Sequence, residues 1–166
     1  MPAGPWLSGP CCAGWQWRAA VTAWIVVARV MQTERLTVLA ADWFPGETVG
    51  VGQAREFVRG ILGSAWPRCD DLLLMVSEVA SNAVRHTASG DGGGWFDLTI
   101  AAAGFGVRIA IADGGGSSEP RISDRGGEPD VLTGGRGLRI VDALADRWGH
   151  TGNELGRVVW FEVECR

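Results

Sequence analysis

Hydrophobic and polar positions along the chain change their period in a readable order. Residues 36–44 read as a first strand, stopped by Pro45-Gly46. A helix follows over about 48–64, where Ala54, Phe57, Val58, Ile61 and Leu62 recur at i, i+3, i+4, i+7 and i+8 and make one apolar stripe. Gly63 and Pro67 close it. A second helix spans about 70–87, with Leu72, Val76, Val79, Ala80 and Ala83 on its core face. Asp70 and Asp71 suit its positive N-terminal end. After a glycine turn at 91–94, residues 95–103 and 107–113 form a hairpin around Gly104-Phe105-Gly106. Residues 114–136 are rich in Gly, Pro, Ser and charge and show no period; so long a loop in a compact domain is usually functional or mobile. A third helix is expected over about 137–147, with Val141, Leu144, Ala145 and Trp148 on its stripe, and residues 157–164 alternate as a last strand.

The order β-α-α-β-β-loop-α-β predicts an α+β fold, a two-layer α/β sandwich. Hairpin-joined strands make the sheet mixed or antiparallel; the expected architecture is a mixed sheet covered on one face by three main helices. The 166 residues hold one domain and a tail. We expect an N-terminal head at 1–33 and the folded domain at 34–166. The head is the odd part: residues 1–30 contain no acid, two Arg and four of the nine Trp. Its apolar run at 19–28 is too short to span a membrane. Only Arg18 precedes that run, and Arg29 follows where a signal peptide needs small residues. The head therefore reads as poorly ordered, or as an upstream extension with Met31 as the true start.

Composition removes several chemistries. With 46% hydrophobic and 20% charged residues the chain is globular, and a net charge of −4 argues against direct nucleic-acid binding. All 15 basic residues are Arg. Without Lys there is no P-loop, no ordinary protein-kinase lysine and no Schiff base. Adjacent Cys11 and Cys12 with isolated Cys69 and Cys165 make neither a disulfide framework nor a zinc motif, so a reduced, cytoplasmic protein is expected.

The second helix carries the candidate chemistry. At 100° per residue, with Leu72 at zero, Arg85, Glu78, Asn82 and His86 fall at about 220°, 240°, 280° and 320°. A guanidinium, a carboxylate, an amide and an imidazole thus line one polar face over two turns. Glu78 can accept a proton, the amide oxygen of Asn82 can ligate Mg²⁺, and Arg85 can pair with phosphate. Alone, such a face is more often simply solvated. Two further segments change that weighing. Residues 109–116 are a strand ending in Asp113 and three glycines, where a carboxylate can accept from an adenine amino group and the glycines let a ring approach. Gly134-Gly135-Arg136-Gly137-Leu138 enters the third helix and leaves backbone N–H groups for phosphate. Neither Gly135-x-Gly137 nor Gly104-x-Gly106 completes a dinucleotide fingerprint, since Ile140 and Ile109 occupy the third glycine places.

In this order, the Glu78-x-x-x-Asn82-Ala83 core, the strand ending at Asp113 and the Gly135-x-Gly137 helix entry resemble the N, G1 and G2 boxes of the histidine-kinase-like ATPases, the GHKL or Bergerat-fold superfamily. With no phospho-accepting His domain, the chain is similar to the small actinobacterial anti-sigma-factor serine/threonine kinases. Phe44-Pro45-Gly46, residues 135–142 and residues 158–162 look typical of that subgroup. The resemblance covers about 35–165 and implies ATP and Mg²⁺ as cofactors. It implies Glu78 as the catalytic base toward a protein serine, and Asn82 as the Mg²⁺ ligand bridging the ATP phosphates. Arg85 would meet the terminal phosphate, with His86 beside it. Asp113 would bind adenine, with Gly115 packed beneath the ring. Gly135, Arg136, Gly137 and Leu138 would cradle phosphates, and 114–136 would be the ATP lid. The implied function is an ATP-binding regulator that transfers the terminal phosphate to an antagonist protein and binds a sigma factor; the alternative is a nucleotide-gated protein-binding module without useful kinase activity. The resemblance also admits a homodimer. Two departures bear on transfer more than on binding: Ser117 stands where a fuller G1 box has Gly, and Thr133 where some relatives place a lid arginine. Arg121, Arg125 and Arg136 are candidate substitutes.

Overall fold

The computed structural model describes residues 36–90, 92–116 and 136–165, with the side chain of Arg136 left aside. Residues 1–35 and 117–135, and with them Ser117, Arg121, Arg125, Thr133 and Gly135, lie outside the described residues. The strands are β1 (Thr37–Pro45), β2 (Trp95–Ala103), β3 (Gly106–Asp113), β4 (Arg147–Asn153) and β5 (Gly156–Glu164). The helices are α1 (Thr48–Leu62), α2 (Cys69–His86) and α3 (Arg136–Leu144), with a 3-10 turn at Ala88–Gly90.

The five strands form one sheet in the order β1-β2-β3-β5-β4. All four pairings among the described residues are antiparallel, so the sheet is antiparallel and not mixed, while the α+β two-layer class stands. Alternation along the central strands sets the layers. Phe96, Leu98, Ile100, Ile109, Ile111 and Phe161 point to one face and form a single core with Ala54 and Val58 of α1, Leu72, Met75, Val76 and Val79 of α2, and Val141 of α3. Each fully buried side chain of this size contributes about 1.5–3 kcal/mol.

The helical stripes pack largely as their spacing dictates. All five expected core residues of α2 are buried. On α1, Ala54 and Val58 are buried and Phe57 and Leu62 half-buried, while Ile61, on the last turn, is exposed. The third helix is shorter than its pattern. It ends at Leu144, and the Asp146 N–H goes to the Glu162 carbonyl at 3.0 Å, so the chain leaves the helix by joining β5. Trp148, expected on the helical stripe, therefore sits in β4, an edge strand that periodicity did not predict.

Arg68 fixes how the helices meet. It precedes α2 in the left-handed region, at φ 58°, a conformation that costs a non-glycine residue about 1 kcal/mol or more. Its guanidinium donates to Asp146 at 2.9 Å and to the Leu144 carbonyl, which caps the C-terminus of α3. The start of α2 is thereby tied to the end of α3.

Candidate nucleotide site

α2 presents Glu78 and Asn82, both half-buried, to the N-terminus of α3. Gly137 makes that approach possible. A Cβ there would lie 2.9 Å from Glu78 Oε2 and 3.2 Å from Asn82 Nδ2. Only a hydrogen fits between the first turn of α3 and these two side chains. Two of the four residues expected on the polar face, Glu78 and Asn82, thus meet the expected glycine at one point in space. The first-turn N–H groups of a helix have no intrahelical acceptor, so this is where an anion would be held beside a carboxylate and an amide. Leu138 faces the other way and is buried in the core.

Arg85 and His86 are exposed. Arg85 lines a groove between α1 and α2 together with Arg55, Ser77 and Ser81. The backbone of His86 contributes by contact, because a Cβ at Gly116 would come within 2.6 Å of its carbonyl oxygen.

The second half of the site is the end of β3. Asp113 is buried, and its Oδ1 accepts the Gly115 N–H at 2.8 Å. That turn needs glycine: Gly115 has φ +71°, and a Cβ there would come within 2.4 Å of the Glu154 carbonyl. The strand end is stitched to the end of α2. Gly114 N–H donates to Ser89 Oγ at 2.8 Å, and Ala88 N–H donates to the Gly115 carbonyl at 3.0 Å. Asp113 is thus held at the C-terminal end of the helix that carries Asn82.

Burial pushes the Asp113 carboxyl up from its ordinary 3.8 to about 6, against the Gly115 N–H and the Arg157 charge, which both pull it down. A carboxylate kept out of water and satisfied by one turn N–H retains acceptor capacity for a donor from a ligand.

Arg157 is the residue that sequence reasoning missed. It is buried, pairs in register with Asp113 across β3 and β5, and donates to the Gly116 carbonyl at 3.1 Å. It therefore braces the backbone where the chain leaves the site toward residue 117. Ser89 was missed for the same reason: its role depends on which strand end lies opposite. The Thr87-Ala88-Ser89 run directly after the helix was the available signal, since the Thr87 hydroxyl makes a local turn, donating to the Ala83 carbonyl and accepting the Ser89 N–H.

Among the described residues no group of three or more His, Cys, Asp and Glu could hold a metal. The donor set suits a different arrangement: Mg²⁺ carried on phosphates takes one or two protein oxygens and keeps its waters. The Asn82 amide lies beside Gly137, its Nδ2 nearest the glycine.

A family model for the histidine kinase-like ATPase domain matches residues 44–163. No curated protein matches the sequence. The structure of the RsbU and RsbW domains of Rv1364c from Mycobacterium tuberculosis is similar in fold, with a TM-score of 0.55 at 18% identity over 75% of this chain. This chain spans 32% of that one. The histidine kinase domain of the Erythrobacter litoralis EL346 blue-light activated histidine kinase aligns over 92% of this chain and 80% of its own, at 19% identity and a TM-score of 0.43. No described helix is long and apolar enough to cross a membrane.

Proposed function

Because the chain belongs to the histidine kinase-like ATPase domain family, and so to a class that binds ATP, we propose that it is an ATP- and Mg²⁺-dependent serine/threonine protein kinase of the anti-sigma type. The observation that carries this reading is the meeting of Glu78 and Asn82 at Gly137. It brings a carboxylate, which could accept a proton, and an amide, whose oxygen could ligate Mg²⁺, to the open N–H end of a helix. Phosphoryl transfer needs little else from a protein beyond positioning and charge.

In this reading Asp113 accepts from the adenine amino group and Gly115 lies under the ring. The N–H groups at Gly135, Arg136 and Gly137 hold phosphate oxygens. Arg85, exposed two turns along α2 from Glu78, meets the terminal phosphate, with His86 at its side. Asn82 holds Mg²⁺, which when bound neutralises charge on the phosphates. Glu78 takes the proton of a protein serine hydroxyl as its oxygen forms the new bond to phosphorus and the bond to ADP breaks. The protein partners are a sigma factor and its antagonist, and a cytoplasmic location follows from them. The fold of the RsbU and RsbW domain structure supports the subgroup by analogy alone.

The test is transfer of labelled terminal phosphate to candidate antagonist proteins by wild type and Glu78→Ala. We expect transfer to fall by about 10²-fold or more in the variant, with ATP affinity within about twofold of wild type. Equal loss of both would make Glu78 a binding residue. Tight ATP binding by the wild type with no transfer to any serine substrate would point to the nucleotide-gated binding module.

A further inference from the structure

Arg157 stands where the sheet asks for a hydrocarbon. Along β5 the helix-facing positions are 157, 159, 161 and 163, and the last three hold Val159, Phe161 and Val163 in the core. Arg157 continues that alternation and is only 6% exposed. A buried guanidinium needs its charge answered and its donors used, or it costs more than an apolar side chain in the same place.

The register shows what surrounds it. Arg157 lies between Asp113 of β3 and Gly152 of β4, so across the ladder only Asp113 offers a side chain. Directly opposed residues hold their Cβ atoms about 4.5–5.5 Å apart. The Arg157 charge reaches the Asp113 carboxyl and pulls it down against the effect of burial. One turn anchors both groups: Asp113 Oδ1 accepts the Gly115 N–H at 2.8 Å, and Arg157 Nη2 donates to the Gly116 carbonyl at 3.1 Å. Gly115 in turn rests on the β4–β5 connection, where a Cβ would lie 2.4 Å from the Glu154 carbonyl and 2.6 Å from the Gly156 nitrogen. Turn, acceptor and donor form one packed unit.

That unit sets two complementary groups side by side. The carboxylate accepts, and the guanidinium carries five N–H donors, of which the Gly116 carbonyl takes one. Adenine bears the matching pair: its amino group donates, and the ring nitrogens that flank it, N1 and N7, accept. A carboxylate alone reads the amino group and leaves the ring free to turn about that contact. A guanidinium beside it adds the neighbouring acceptor and fixes the ring in its plane. Away from water, a hydrogen bond from a charged donor is also stronger. Resting on the proposed placement of adenine at Asp113, we infer that Arg157 is a base-reading residue: its guanidinium donates directly to a ring nitrogen flanking the adenine amino group, while Asp113 accepts from that amino group. Arg157 then acts on the nucleotide itself and not only as the brace of the Gly116 backbone, and a cation has a reason to occupy a core position.

Calorimetric titration of the full-length protein with ATP, 1-deaza-ATP and 7-deaza-ATP tests it. The analogues replace N1 or N7 by C–H and keep the amino group. Working with Mg²⁺ at about pH 8 keeps Asp113 ionised, since its carboxyl titrates at about 6. We expect one of the two analogues to bind the wild type at least about tenfold more weakly than ATP. In Arg157→Met, ATP should bind about tenfold or more weakly, and the gap between ATP and that analogue should shrink to within about twofold. A merely structural arginine would lower all three affinities by one factor and leave the gap intact, and that result overturns the inference. If Arg157→Met does not fold, Arg157→Gln, whose amide stops short of the guanidinium's reach, decides by the same criterion. A wild type that binds ATP and both analogues equally well also overturns the role of Arg157, while the placement of ATP stands. A wild type that binds none of the three removes adenine from Asp113, and the inference falls with it.

Discussion

Asp113→Asn should stabilise the ligand-free protein at neutral pH, because the site keeps a carboxylate where folding disfavours its charge. The sign follows from the direction of the shift. Burial raises the folded-state value to about 6 against an ordinary 3.8, so the folded chain holds this proton more tightly than the unfolded chain. Below 3.8 the group is neutral in both states and costs nothing. Stability is lost as pH rises from there through 6, and above 6 the full cost remains. At about 1.4 kcal/mol per pH unit, the interval between the two values is worth about 3 kcal/mol. Partial titration leaves about 1 kcal/mol of that at pH 4.5 and nearly all of it at pH 7.5. Asparagine keeps the oxygen that accepts the Gly115 N–H but never ionises. The assay is urea unfolding of both proteins without nucleotide at the two pH values. The stability difference, variant minus wild type, should grow by about 2 kcal/mol from pH 4.5 to 7.5. Asp97, which burial pushes up to about 7, titrates in both proteins and cancels. A difference that does not change with pH, or that shrinks as pH rises, would refute the reasoning. The carboxylate would then be at home in the fold as an anion.

The same titration reaches ligand binding. If adenine needs the ionised carboxylate, ATP affinity at pH 5 should be about tenfold weaker than at pH 7, over and above the titration of the phosphates; Asp113→Asn should bind more weakly at pH 7 and lose that extra pH dependence. Calorimetric titrations of both proteins check it. Gly137→Ala should separate stability from function. Alanine in a helix is favoured over glycine by about 0.5–1 kcal/mol, but the new Cβ also lies 3.2 Å from Glu78 Cβ, so the two effects oppose and the unfolding midpoint should change little. The new Cβ at 2.9 Å from Glu78 Oε2 must push that side chain aside, and ATP affinity should fall by about tenfold or more. A variant that binds ATP as wild type does would remove Gly137 from the cradle.

Much of this architecture is legible in the residue pattern, and the exceptions have physical causes. Helices α1 and α2 and the β2–β3 hairpin lie within a residue or two of their expected bounds, because each shows one clear period. Strand β4 was hidden. It is a half-exposed edge with Gly149 and Gly152 in it, and its residues earn their place by hydrogen bonds to β5 and not by alternation. Trp148 fits a helical stripe equally well until Asp146 is drawn to Glu162, so tertiary pairing overrode the local period. At the site, Glu78 and Asn82 were legible from helical spacing, and Gly137 from its place before a helix. Arg157 and Ser89 were not, since each acts through strand register or through the closing of a strand end on a helix end, and one sequence carries no register.

The decisive measurement is calorimetric titration of ATP into the full-length protein with and without Mg²⁺, for wild type and Asn82→Ala. The wild type should bind ATP, more tightly with Mg²⁺, and the variant should show an affinity at least about tenfold lower or no longer responsive to Mg²⁺. A folded wild type that binds no ATP, or a variant indistinguishable from it in both affinity and Mg²⁺ response, would contradict the assignment of the site on α2.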